Sequence, residues 1–306
     1  DGYTVLLAAV GQAVVNNHLY KKLPYDPAQD LAAVSLVAEG QNVLVVNAKQ
    51  SPFNTGEELI SHARAKPDDL TYASFGNGSS SHLSAAAFTT MANIEVIHAP
   101  YRGSAPAMTD LLGGHISFMF DSMGTAITHI NANTVRPLAV SGPERSSLLP
   151  EVPTFAELGL NQGYNVTAWF GFHVSSGTPT EIIDRLSQAM KTVSENSEFV
   201  ETFRRQGVDI ISSTPAEYAE FLRQEDEKLG SLIKQGKPVA LIRVDNLLYQ
   251  VRPGNYLGQN YGRITKVGES EVVLRELVQE GDHATVRGGA PAQDDAELLA
   301  AKPCDQ

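Results

Sequence analysis

The sequence predicts an α/β region over residues 1–237, followed by a small all-β sandwich. Three observations point there. Short apolar runs bounded by Gly, Pro, Asn or Asp alternate with longer helix patterns, as in an α/β fold with largely parallel sheets. That alternation stops at Lys237. Beyond it turn signals recur and no long helix pattern precedes the tail, which fits a compact sandwich or barrel.

In chain order, strands are expected at Thr4–Ala9, Ser35–Val37, Asn42–Val46, Thr71–Ala73, Glu95–Ala99, Ser117–Phe120, Arg136–Val140 and Ala168–Val174. Helices are expected at Thr55–Ala65, Ser80–Ala92, Ala105–Leu112, Met123–Ala132, Phe155–Leu158, Thr180–Ser194, Ser197–Gln206 and Pro215–Gln235. Thr55-x-x-Glu58 has the form of a capping box, and Thr214 precedes Pro215 at a first helical position. In the second part Leu241–Val244 and Leu247–Val251 flank Asp245-Asn246, a two-residue hairpin turn. Arg263–Val267 and Glu271–Leu277 read as strands, with turns at Gly254-Asn255, Gly258-Gln259-Asn260 and Gly268-Glu269. Lys234–Pro238 reads as a linker and residues 288–306, rich in Ala, Gly, Pro and Asp, as a flexible tail.

Composition narrows the function. The 306 residues fit about two domains, and Lys+Arg 23 against Asp+Glu 35 gives a net charge of −12. An acidic chain lacks the basic face that a nonspecific DNA binder needs. With 42% hydrophobic and 19% charged residues the chain is globular in character. Val5–Val10 and Val43–Val46 are far too short to span a bilayer. Cys304 stands alone, so no intrachain disulfide is expected. The sequence opens at Asp1 inside a strand pattern, which reads as a fragment or a processed product.

Three stretches carry candidate chemistry. In Tyr72–His82 (YASFGNGSSSH) a strand enters a Gly/Ser loop that feeds a helix. Its glycines let backbone approach a ligand, and exposed N–H groups at a helix start favour a carboxylate. A plain turn with a serine cap is the competing interpretation. No G-x-x-x-x-G-K-[ST], G-x-G-x-x-G or G-x-S-x-G occurs there, which argues against a nucleotide site or a serine hydrolase. In His98–Ala107 (HAPYRGSAPA) Arg102 could pair with a carboxylate or could be an ordinary surface arginine. Phe118–Gly124 (FMFDSMG) ends an apolar strand in Asp121, which could accept from a ligand amine or, the favoured alternative, cap the next helix. Trp169 reads as core or cleft wall, and the scattered histidines give no metal site. No nucleophile, base and orienting group occur together, so an enzyme is not expected.

Taken in order, these motifs resemble the solute receptors of tripartite tricarboxylate transporters, the Bug or TctC family. The resemblance runs from Asp1-Gly2-Tyr3-Thr4 through residues 19–26 (LYKKLPYD), Val43–Asn47, Leu70–His82, Pro100–His115, Met119-Phe120-Asp121, residues 138–141 (LAVS), residues 149–158 (LPEVPTFAEL) and Trp169-Phe170-Gly171 to Gly177-Thr178-Pro179. It implies a periplasmic-binding-protein-like fold of two α/β lobes, N-terminally truncated, that closes on a small organic carboxylate. The implied ligand-binding places are Gly76, Asn77, Gly78, Ser79, Ser80, Ser81 and His82 in one loop and Tyr101, Arg102, Gly103 and Ser104 in the other. Asp121 and Trp169 are carried over as weaker candidates. No cofactor and no metal are implied. The implied lobes are residues 1–98 plus 212–237 and residues 99–211. Family members usually have a further strand and carboxylate-embracing loops before the DGYT motif. Their absence here leads to the expectation of weak carboxylate binding or none, and of an unpaired sheet edge.

Residues from about 239 to 283 resemble the C-terminal domain of the type IV pilus assembly protein PilP, through residues 241–251 (LIRVDNLLYQV), 254–265 (GNYLGQNYGRIT) and 274–281 (LRELVQEG). That resemblance implies a β-sandwich over residues 238–287 and a secretin or other pilus-assembly protein as partner. Both families imply the periplasm. The leading function is therefore a carboxylate receptor serving the membrane components of a tripartite tricarboxylate transporter. The alternatives are a periplasmic pilus scaffold, or a fusion of two fragments with no selected combined function.

Overall fold

A computed structural model describes residues 3–20, 23–160 and 166–235, together with strand segments between residues 240 and 301. The expected linker falls partly, and Cys304 and the turns at 245–246, 254–255, 258–260 and 268–269 wholly, outside the described residues.

The chain begins with β1 (Leu6–Ala9), a π-helical turn (Gly11–Val15), α1 (Asn16–Leu19) and α2 (Pro27–Asp30). A 17-residue strand, β2 (Leu31–Asn47), follows. Then come α3 (Gly56–Ala65), β3 (Thr71–Ser74), α4 (Ser80–Ala92), β4 (Ile97–Pro100), α5 (Ser104–Gly113), β5 (Phe118–Ser122), α6 (Met123–Asn131) and β6 (Val135–Val140). After a segment of turns the chain continues through β7 (Thr167–Ser175), α7 (Thr180–Ser194), α8 (Ser197–Arg204), β8 (Val208–Ile210) and α9 (Pro215–Gln235).

The two lobes share β2. Its first half, through Gln41, pairs antiparallel with β7 and β8, and β7 pairs in turn with β1. Its second half, from Asn42, pairs antiparallel with β5 and β6, while β3 lies parallel between β4 and β5. The second lobe's sheet is therefore mixed rather than largely parallel, and the first lobe's is antiparallel. This pairing also replaces the lobe division expected from sequence. Residues 71–100 pair within the second lobe, and residues 167–175 and 208–210 within the first.

The expected strands Ser35–Val37 and Asn42–Val46 are parts of one strand, β2, and Gly40 lies inside it between them. A Cβ there would stand 2.9 Å from the Gly207 carbonyl oxygen, so the residue permits a close strand approach. The expected helix Phe155–Leu158 is instead a run of turns. Glu157 accepts from Arg145 and from the Thr154 amide, and the Leu158 side chain fills the space above Gly56.

Alternation along the strands sorts the second lobe's core into two faces. Leu44, Val46, Phe118 and Phe120 meet α3 and α4, whereas Val43, Val45 and Met119 meet α5 and α6. Phe88, Phe120 and Phe155 pack with ring centroids 5.4 to 5.7 Å apart. The first of these clusters continues into the first lobe through Val10, Val15, Leu36, Trp169, Tyr218 and Leu229.

Farther along, β9 (Ala240–Val244), β10 (Leu247–Val251) and, out of order, Ala296–Ala301 make one antiparallel sheet. The strands between, β11 (Tyr256–Leu257), β12 (Gly262–Val267), β13 (Val272–Glu280) and β14 (His283–Gly288), make another. Ala296–Ala301 was expected in a flexible tail, and its antiparallel register with β9 makes it β15.

Candidate ligand cleft between the lobes

The carboxyl ends of β3, β4 and β5 carry the loops that sequence singled out, on the side where α/β sheets place their ligands. The first loop turns at Gly76 and Gly78, with φ of +123° and +77°, a region that glycine enters without a Cβ clash. Ser79 locks the turn and caps α4. Its hydroxyl donates to the Gly76 carbonyl at 2.7 Å and accepts from the His82 amide at 3.3 Å. His82 is buried, and its Nδ1 accepts from the Gly78 amide at 3.1 Å.

His82 stacks on His98, and His98 stacks on Tyr72, both with centroids 4.6 Å apart. His98 Nε2 lies 2.6 Å from the Ser74 hydroxyl, which also accepts from the Gly76 amide at 3.2 Å. Ser74 and His98 thus support the loop, and sequence reasoning missed both. The signal was weak because it arises only when β3 and β4 pair in register, Tyr72 opposite His98.

The second loop packs against the first. A Cβ on Gly76 would lie 3.4 Å from the Tyr101 carbonyl oxygen, and the Tyr101 amide donates to Ser74. Tyr101 differs from its expected role. Its hydroxyl donates to Asp110 at 2.6 Å; burial and that carboxylate both raise its pKa, and the bond lowers that of Asp110. Arg102 is exposed in this loop. Gly103, at φ +109°, precedes α5, and no side chain caps that helix among the described residues. Its first amides are thereby left for an anion.

Asp121 closes the floor. It is fully buried, and its Oδ1 accepts from the Ser104 hydroxyl, the Ser122 amide and the Thr125 hydroxyl at 2.9, 2.9 and 2.6 Å. Its Oδ2 has no partner among the described residues, and burial pushes its pKa up. Asp121 therefore ties α5 to α6, instead of capping α6 in the usual way. Ser81 is likewise structural, since its buried hydroxyl donates to the Phe120 carbonyl. Ser80 and Asn77 lie at the loop's partly exposed side, and the Asn77 side-chain oxygen has no partner among the described residues.

Trp169 is not brought to these loops. It is 1% exposed and packs edge-on against Tyr218 and Phe221 of α9, with its indole N–H donating to Glu225 at 2.9 Å. Facing the first loop is instead the π-helical turn after β1. Gly78 lies against Val15, Asn16 and Leu19, and Gly11 against Gly78.

Two α/β lobes that share β2, with amide-rich loops and an uncapped helix start where they meet, make the two-lobed fold of the periplasmic binding proteins. Residues 1–237 match the family model for the tripartite tricarboxylate transporter family receptor, TctC, and the chain belongs to that family. Residues 227–286 match the model for the pilus assembly protein PilP. A protein from the tcbD-tcbE intergenic region of Pseudomonas sp. strain P51 is 36% identical over 233 residues, covering 76% of this chain and 69% of its own length. BugT of Bordetella pertussis is 31% identical over 236 residues, 77% of this chain and 72% of BugT. Among solved structures, R. palustris Rpa4515 with adipate superposes with a TM-score of 0.72 at 32% identity, covering 76% of this chain and 78% of that one. MatC from Rhodopseudomonas palustris with bound malate gives 0.70 at 26% identity, covering 76% and 80%.

Proposed function

We propose that residues 1–237 are an extracytoplasmic receptor that closes on a small organic carboxylate and presents it to the membrane components of a tripartite tricarboxylate transporter. The observation that carries this is the convergence of the Gly76–His82 loop, the uncapped start of α5 behind Gly103, and the exposed Arg102 at one end of the second lobe's sheet. Backbone amides and one guanidinium suit a carboxylate. Two relatives of the same fold, solved with adipate and with malate, support the substrate class. In the periplasm such a receptor would meet its ligand before the membrane does.

Titration calorimetry with adipate, malate and a tricarboxylate tests this. Saturable binding to at least one is expected. Asn77→Ala should weaken it about tenfold, the worth of one hydrogen bond to a charged group. No heat from any of them would sink the receptor reading.

A second reading, a PilP-like scaffold over residues 238–287, has the family match at 227–286 and the antiparallel strands of that region in its favour. Co-purification of the chain with a pilus secretin would support it, and loss of that complex on removing residues 240–306 would place the contact there.

A further inference from the structure

Besides the shared apolar cluster, the two lobes meet at two places where a glycine faces backbone of the opposite lobe. Gly11 opens the π-helical turn of the first lobe, and a Cβ there would lie 3.2 Å from the Gly78 carbonyl oxygen of the second. Gly124, in the first turn of α6 in the second lobe, would place a Cβ 3.0 Å from the Gln206 carbonyl oxygen of the first. Neither glycine has a positive φ, and both lie in helical segments where alanine is the better local choice. Local conformation thus gives no reason for glycine at either position, and the approach of the other lobe does. A backbone carbonyl cannot swing aside as a flexible side chain would.

The two contacts lie far apart across the first lobe's sheet. Gly11 continues from β1 and Gln206 precedes β8, at opposite ends of the order β1-β7-β2-β8. Three strand spacings separate those ends, roughly 14 Å.

We propose that Gly11 and Gly124 are the closure contacts of this receptor, positioning residues whose missing Cβ atoms let the lobes shut on the ligand without either glycine touching it. This rests on the cleft being the binding site. A methyl group at either place wedges the lobes apart. Only the closed form holds ligand from both sides, so a closed population cut to a tenth raises the apparent Kd about tenfold.

The test uses the full chain carrying Cys304→Ser, with spin labels on cysteines at Glu57 of α3 and Lys191 of α7, both exposed. Gly11→Ala and Gly124→Ala are compared with Gly177→Ala, where a Cβ would meet open space. The expected result is a longer interlobe distance for the first two than for the parent and Gly177→Ala, with a thermal midpoint no lower than the parent's. The Kd for adipate or malate should rise about tenfold for those two alone. Unchanged distances in both Gly11→Ala and Gly124→Ala would overturn the proposal, as would a longer distance in Gly177→Ala. If the parent binds no carboxylate the receptor reading fails, while the distances still decide whether these glycines set closure.

Discussion

Asp121 is a carboxyl group whose two oxygens are in opposite circumstances. Oδ1 collects three donors and Oδ2 has none among the described residues, in a place with no solvent exposure. Desolvation outweighs the three bonds, so the folded carboxyl titrates above its ordinary value of 3.8. Between those two values the folded chain holds more protons than the unfolded one. Wild-type stability therefore falls as pH rises through that window. Asparagine keeps the oxygen that accepts three bonds and does not titrate. Asp121→Asn should accordingly gain stability relative to wild type as pH rises from about 4 toward 7, read as urea midpoints at several pH values. A difference that stays flat over that range would show that burial does not govern this carboxyl. The position of Asp121 at a strand's carboxyl end was legible in the sequence. Its partners were not, because Ser104 and Thr125 belong to two helices that only the folded sheet brings together.

Among elements, the legible ones carry their signals within four residues of chain. The α9 start is one: the Thr214 hydroxyl accepts from the Glu217 amide at 3.2 Å, and Glu217 accepts from the Thr214 amide at 2.8 Å, a reciprocal capping box around Pro215. Thr214→Ala should cost about 1 kcal/mol, measured by chemical denaturation, because it frees the Glu217 amide and removes the hydroxyl that donates to the Glu217 carboxylate. Thr214→Ser should restore most of it. The Gly/Ser loop before α4 was legible for the same reason, as strand, turn and cap lie in one stretch of sequence. What failed depended on distant partners. The gap between Ser35–Val37 and Asn42–Val46 closes only when Gly207 comes against Gly40, and the choice of core over cleft wall for Trp169 needs α9 to cover it. The lobe boundary failed likewise, since β2 serves both sheets and its periodicity does not change where it crosses.

At the scale of the whole molecule, the two lobes have separate sheets, but one apolar cluster runs through both. It joins Phe88, Phe118 and Phe120 of the second lobe to Leu36, Trp169, Tyr218 and Leu229 of the first. A cleft that opens at its mouth can still be seated on a continuous core, and such a core makes the lobes lose structure together. The sequence has a single tryptophan, and Trp169 lies buried in the first lobe, so its fluorescence reports that lobe alone. Phe120, fully buried, lies in the other. Phe120→Ala should lower stability by about 3–5 kcal/mol, the usual cost of emptying an aromatic site. Because the cluster is shared, the loss should appear in the Trp169 fluorescence midpoint in denaturant, with the slope of the transition unchanged. If the fluorescence midpoint stays in place while circular dichroism shows an earlier loss of structure, the lobes unfold independently. The shared cluster would then be an area of contact between two cores, and lobe movement would need less disruption than one core implies.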